Sequence, residues 1–394
     1  RKEGVVLSLT QETDVPPEKL RDILRPLEDY AAICPTLLTL AQQMADDVHC
    51  PLAETLRLML PAQMRGGRIQ VKTQTVAQAA KPREMLEAAA QAEKRSPKRR
   101  LLLTVLSDER THPVEELKLL VREPLQALRQ IEAAGLIALR EEEVLRRPGG
   151  NTPDTAVPDP PLTPGQEEAL SVMLPDLRSG QGKYLLHGVT GSGKTEVYMR
   201  CVQQALDGEP INGIAPQALV MVPEINLTPQ LQERFTARFG AANVVSLHSG
   251  MTDAQRLKNW LAAHSGAARI VLGTRLAVFA SMPGLKLIVV DEEHDPSYKQ
   301  QEGARYSARD LAIWRGREQH AKVILGSATP SLESWHASRP ATDGEPGGRY
   351  LRLHMPSRIA SGDNAGSLPV LRVVNMHHQP RRTVFSAPLL AALQ

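Results

Sequence analysis

Cysteine is nearly absent: Cys34, Cys50 and Cys201 are widely spaced and odd in number. They make neither a disulfide framework nor a zinc-ligand cluster, which suits a reducing, cytoplasmic compartment. No apolar run approaches the ~18 residues that mark a membrane span, and the N-terminus lacks a signal-peptide pattern. A strong charge of one sign is missing too. The net charge is +3 over 394 residues, so any nucleic-acid surface must be a local patch. An initiating methionine is also lacking: the chain starts inside a strand-like KEGVVLSL and stops inside a helix-like SAPLLAALQ, and is expected to be a piece of a longer protein. What is present, 23% charged and 42% hydrophobic residues, is an ordinary globular balance with length for about two to four domains.

The chain is organised around residues 183–198, KYLLHGVTGSGKTEVY. An apolar run ends in a glycine-rich turn and a helix-compatible stretch follows, the context that makes G-x-x-x-x-G-K-[ST] a phosphate-binding loop. With Gly near 7% of residues, the pattern arises by chance in roughly one chain in a hundred of this length. Gly188, Val189, Thr190, Gly191, Ser192 and Gly193 are expected to wrap backbone N–H groups around the phosphates of a nucleoside triphosphate. Lys194 is expected to reach the β and γ phosphates and Thr195 to ligate Mg²⁺.

Upstream, residues 4–9 read as a strand, and apolar, mostly helical stretches run from Pro16 to Pro61: Leu20, Ile23, Leu24 and Leu27; Leu37, Leu38, Leu40 and Met44; Leu56, Leu58 and Leu60. MRGGRIQ (64–70) ends this part, and 73–95, rich in Ala, Gln and Lys, reads as linker or exposed helix. Residues 96–147 hold three amphipathic stretches and then AAGLIALREEEVLRR, a Gly-capped turn into a strand pair. Three helices and a β-wing make the winged-helix pattern. Lys94, Arg95, Lys98, Arg99 and Arg100 suit phosphate contacts; a solvated basic helix start on a protein-docking module fits them equally well.

PGGNTPDTAVPDPP (148–161) reads as a linker. Beyond it, apolar runs at 184–187, 218–222, 244–247, 269–272, 286–290 and 323–325 alternate with helical stretches. That argues an α/β fold, a parallel, doubly wound sheet with ligands at the strand C-termini. DEEHD (291–295) follows one such strand. Asp291 is expected to hold Mg²⁺, Glu292 to polarise the attacking water and His294 to sense the γ-phosphate. GSATP (326–330) follows another and offers Ser327 and Thr329 to couple nucleotide state to a nucleic-acid path, or forms an ordinary hydroxyl-capped turn. Gln166 could read an adenine edge, although a lone Gln is usually a surface residue. VPEINLTPQ, SLHSG and the GTR of Arg275 complete a rim that suits a phosphate backbone.

GVTGSGKTEVY, VPEINLTPQ, LHSGM, GTRLAVF, DEEHDPSYKQQEGARYSARDLA and GSATPSLES resemble the helicase motifs of the primosomal protein N′ (PriA) family, superfamily 2 replication-restart helicases with a DExH-type box. The resemblance is dense from about 160 to 335 and looser over 96–147 and 1–65. It implies a partial 3′-DNA-end-binding domain (1–65), a linker (66–95), a winged helix (96–147), a second linker (148–161), a RecA-like ATP-binding lobe (162–338) and a connector toward a second lobe (339–394). It implies ATP and Mg²⁺ as ligands and 3′→5′ unwinding of forked and single-stranded DNA. Primosome proteins and single-stranded-DNA-binding protein are the implied partners, in the bacterial cytoplasm at the nucleoid. Gln166 matches the adenine-reading glutamine, and Ser297–Arg309 matches a loop coupling single-strand binding to hydrolysis, with Tyr298, Lys299, Tyr306 and Arg309 as DNA contacts. The chain departs from the family at Ala304, where an aromatic is common, and at Leu276, where Ser is common. Nothing in it matches the second lobe with its arginine finger or the zinc module, so zinc is expected only in the parent. The rival readings are a pseudohelicase that holds forks and recruits partners, and a duplex translocase with the same motor chemistry.

Overall fold

The computed structural model describes residues 4–28, 30–64, 73–94, 96–108, 110–143, 160–177, 182–342, 344–359, 371–379 and 384–393. The chain divides into two compact units. One comprises 1–155, 236–268 and 279–282; the other comprises 156–235, 269–278 and 283–394.

In the first unit, a 3-10 turn at Pro17–Lys19 is the one helix or strand among the described residues of 4–34. The strand expected at 4–9 does not form: no described strand pairs with it, and Leu9 is 90% exposed. A strand obtains its backbone bonds from a neighbour, so apolar alternation alone cannot make one. Leu20, Ile23, Leu24 and Leu27 are likewise exposed and not helical; Pro16, Pro17 and Pro26 interrupt the i to i−4 bonding a helix needs there. Helix α1 (Pro35–Asp47) starts with proline in its first turn and buries Leu37, Leu40, Ala41 and Met44, one face at helical spacing. Helix α2 (Leu52–Met59) is pinned to α1 by the buried Thr55 hydroxyl, which donates to the Ala41 carbonyl at 2.8 Å.

Strand β1 (Thr73–Ala79) and helix α3 (Arg83–Ala92) occupy the stretch read as linker or exposed helix. Helix α4 (Pro97–Leu106), strand β2 (His112–Pro113), helices α5 (Val114–Leu120) and α6 (Pro124–Ala133) and strand β3 (Ile137–Glu143) follow. They share one core: Ala77, Leu86 and Ala90 from the supposed linker join Leu102, Leu106, Leu117, Leu128 and Ile131. The antiparallel sheet runs β2-β1-β3, with Thr73 opposite Glu143 and Ala79 opposite Ile137. The described partner of β3 is therefore upstream, in β1; the far end of the strand pair expected within AAGLIALREEEVLRR, residues 144–147, lies outside the described residues. Arg95, most of MRGGRIQ (64–70) and most of the linker at 148–161 likewise lie outside them. Of the basic cluster, Lys98 donates to the Arg122 carbonyl and Arg99 pairs with Glu93 at 2.7 Å.

In the second unit, helix α7 (Pro164–Asp176), strand β4 (Lys183–Gly188), helix α8 (Lys194–Leu206), strand β5 (Gln217–Met221) and helix α9 (Pro229–Phe239) come first. The chain then gives strand β6 (Val244–Leu247) and helix α10 (Asp253–His264) to the first unit. It returns with strands β7 (Ile270–Gly273) and β8 (Leu285–Val290), helix α11 (Ala308–Glu318), strand β9 (Lys322–Ser327), helix α12 (Leu332–Ala337) and strand β10 (Leu351–Met355). Six strands of a seven-stranded sheet fall in this unit, in the order β10-β4-β9-β8-β5-β7, and the pairings described among them are parallel. Every residue of β5 and β9 is buried, as a sheet covered on both faces requires. All six strands read from the sequence are present. Strand β10, which was not read from the sequence, arises where only a connector was expected. It is half-buried, and its register sets Met355 beside Gly188.

Candidate nucleotide site

Strand β4 delivers the chain to the glycine-rich loop at the C-terminal edge of the sheet, and α8 leaves it. Gly191 and Gly193 both have φ of +81°, the left-handed region that a side chain disfavours. A side chain at Gly193 would also collide with Gln166 and Ile359. Lys194, 8% exposed, donates from Nζ to the Gly188 carbonyl at 3.0 Å. Ser192 Oγ is buried without a hydrogen-bond partner among the described residues. A buried hydroxyl in that state costs free energy unless a ligand satisfies it, so the loop fits an anionic guest.

The acidic box stands opposite. Asp291 receives its backbone register from Met221, to whose carbonyl its N–H donates at 2.9 Å. Glu292 Oε1 lies 3.3 Å from Lys194 Nζ. The lysine and the acids thus share one edge of the sheet. Glu292 has φ of +43°, a strained conformation for a residue with a side chain. Tyr198, one turn beyond Lys194 on α8, donates its hydroxyl to Asp291 Oδ1 at 2.8 Å. Gly326 makes this possible, since a side chain there would run into that hydroxyl. Burial pushes the Asp291 carboxyl above its ordinary value, with the Tyr198 hydrogen bond opposing. A carboxylate at this position offers the hard oxygen donors that Mg²⁺ prefers.

His294 bridges two motifs. Its Nδ1 is 2.7 Å from Ser327 Oγ and 3.6 Å from Glu292 Oε2, and its Nε2 is 3.3 Å from Thr329 Oγ1. The three residues read as a coupling set are therefore in mutual contact. Gln166 is 1% exposed, and its amide has two partners: Oε1 accepts from the Thr163 N–H at 2.8 Å as part of the α7 capping box, and Nε2 donates to the Gly193 carbonyl at 3.2 Å. The glutamine borders the loop, holding α7 against it.

The residues read as DNA contacts do not form an open rim. Tyr298 is 2% exposed and donates to the Asp291 carbonyl at 2.7 Å; Tyr306 is 5% exposed. Burial pushes the Tyr306 phenol up to about 12. Neither ring presents a face to a base in this conformation, and Ala304 is buried as well. Arg275 Nη1 donates to the Ser297 and Lys299 carbonyls at 3.0 and 3.2 Å, bracing the loop. Arg309 pairs with Glu293 at 3.1 Å and with Asp310 at 2.9 Å. Lys299 is exposed.

Glu293 was missed. Its side chain has no exposure, yet it accepts from the Ser331 N–H at 2.7 Å, from Ser331 and Ser334 Oγ at 3.1 and 2.9 Å, and from Arg309. It ties the acidic box to the start of α12 and to the start of α11. Tyr198 was missed too; its spacing of four from Lys194 on an expected helix was the available signal.

A DEAD/DEAH box helicase family model matches residues 163–337, and the 3′-DNA-binding domain model of PriA proteins matches residues 1–61. The replication restart protein PriA of Haemophilus influenzae is 34% identical over 402 residues, which take in 100% of this chain and 51% of that protein. That of Chlamydia pneumoniae is 32% identical over 99% of this chain and 50% of its own length. That of Synechocystis is 41% identical over 68% of this chain and 30% of its length. This chain thus spans about half the length of the first two. Among solved structures, RecG bound to a three-way DNA junction aligns with TM-score 0.34 and 23% identity over 44% of this chain and 22% of that one.

Proposed function

We propose, for a chain that belongs to the PriA family of superfamily 2 helicases, that it carries the ATP-binding motor lobe and DNA-binding elements of a replication-restart helicase. The activity is ATP-driven 3′→5′ unwinding at stalled or repaired forks, followed by recruitment of primosome proteins and single-stranded-DNA-binding protein in the bacterial cytoplasm. One observation carries this reading: Lys194 sits 3.3 Å from Glu292, which is linked in turn through His294 to Ser327 and Thr329.

Glu292 lies against Lys194, in the role of the anion that the lysine is built to hold. An arriving triphosphate competes for the ammonium, which releases the Glu292 carboxylate to accept a proton from the attacking water. Asp291 and Thr195 are the residues to hold Mg²⁺, which when bound neutralises developing phosphate charge. His294 contacts both the released acid and the GSATP turn, so loss of the γ-phosphate changes the charge seen by the turn. Gln166 positions α7 beside the base end of the loop, where its amide retains capacity for an adenine edge.

The experiment is nucleotide binding and single-strand-stimulated hydrolysis by the full-length protein carrying Lys194→Ala. The expected outcome is loss of both with fork binding retained; unwinding by that variant would end the motor reading. A fork-holding scaffold is the second reading, favoured by the buried state of Tyr298 and Tyr306 and the engaged Arg275 and Arg309. Under it, single-stranded DNA leaves hydrolysis unchanged; under the duplex-translocase variant, only double-stranded DNA stimulates.

A further inference from the structure

The segment that leaves β10 returns to the phosphate loop. The Val189 N–H donates to the Met355 carbonyl at 3.2 Å, and the Ile359 N–H donates to the Gly191 carbonyl at 2.9 Å. Between these two anchors, Arg358 lays its stem along the loop: its Cγ and Cδ are 3.7 and 3.8 Å from the position a Cβ on Gly191 would take. Ile359 Cδ1 sits 2.5 Å from the equivalent position on Gly193. Arg358 Nε is buried and has no hydrogen-bond partner among the described residues, a state shared by Ser192 Oγ in the loop itself. Two unsatisfied polar atoms therefore flank Gly191, one on the loop and one on the segment lying over it.

An unpaired buried guanidinium nitrogen is costly, and arginine's planar fork matches phosphate oxygens better than any other side chain. We infer that Arg358 is a nucleotide-binding residue: it closes the phosphate loop from the β10 side and donates to the polyphosphate of a bound nucleoside di- or triphosphate. The backbone bond from Ile359 to Gly191 sets its register, so occupancy of the loop is felt by the chain that leaves the lobe. This assignment rests on the nucleotide-site reading above and adds a residue to it.

The test is equilibrium binding of a fluorescent ADP analogue with Mg²⁺ to the 394-residue chain, with ATP, ADP and AMP as competitors. Arg358→Ala is expected to weaken ADP and ATP on the order of 10- to 100-fold and AMP by no more than about 3-fold. Arg358→Lys recovers part of the loss, because a point charge replaces the fork. If the alanine variant does not fold, as judged by its nucleotide-free melting curve, the lysine variant alone decides: wild-type ADP affinity in it, or equal weakening of AMP and ADP, overturns the assignment. Lys194→Ala separates the two levels. If it weakens ADP while Arg358→Ala does not, only the Arg358 assignment falls. If Lys194→Ala has no effect, the nucleotide site itself is wrong.

Discussion

Two neighbouring carboxylates, Glu292 and Glu293, leave the same strand end and meet opposite fates. Glu293 is shut away from solvent and accepts from Arg309, Ser331 and Ser334. Glu292 keeps 24% of its side chain exposed, holds Lys194 at 3.3 Å and His294 at 3.6 Å, and sits on left-handed backbone. That backbone twist turns successive side chains toward different partners. The first region is a brace with its hydrogen bonds met; the second is a site held short of satisfaction, with Ser192 Oγ orphaned beside it. Strain and unmet polar groups persist only where the surroundings enforce them, and here the enforcing brace is one residue away.

The largest effect that would test this contrast is on chemistry. Glu292→Gln in the full-length protein should lower DNA-stimulated ATP hydrolysis by about 10²- to 10⁴-fold while nucleotide affinity is kept, compared by steady-state kinetics and direct binding. Undiminished hydrolysis would mean that the exposed acid has no chemical role. Glu293→Ala should act on folding instead. It should destabilise this unit by about 3 kcal/mol in denaturant titration, the low end for a broken buried pair because Arg309 keeps Asp310. A stable Glu293→Ala protein would erase the distinction between brace and site.

Tyr198→Phe should cost less, about 1.5 kcal/mol, by removing one charged-acceptor hydrogen bond from Asp291; its Mg²⁺ dependence of nucleotide binding should weaken in parallel. The smallest effect is on pH. His187, stacked 4.8 Å from His354, has its pKa lowered by burial first and by His354 second. The folded state therefore binds fewer protons than the unfolded one below about pH 6.5, so stability falls as pH drops through that window. His187→Gln should flatten the melting temperature against pH there; His264 of the other unit, also lowered by burial, contributes a slope of the same sign. An unchanged slope would remove His187 from the account.

Much of the site was legible because its chemistry is local. The glycine-rich loop, the acidic box and GSATP are short segments whose residue types and order mark them out, and each follows an apolar run that forms a strand. The state of the loop at Ser297–Arg309 was not legible, for the opposite reason. Tyr298, Tyr306, Arg275 and Arg309 are residue types that suit nucleic acid, but whether a ring faces solvent or a guanidinium is already bonded depends on neighbours far along the chain. The strand expected at 4–9 and the linker expected at 73–95 went wrong in the same way, one lacking a partner and the other finding one in β3.

The sequence by itself determined every strand of the sheet but β10, the glycine-rich turn and the place of the acid pair, because backbone angles, hydrophobic periodicity and charge are properties of a few adjacent residues. Only the tertiary structure decided that Glu293 is a brace, that Tyr198 reaches Asp291 over Gly326, and that Arg358 returns to the loop. Each of these joins residues tens of positions apart or more, and such contacts form only when parallel strands bring their ends to one edge of the sheet.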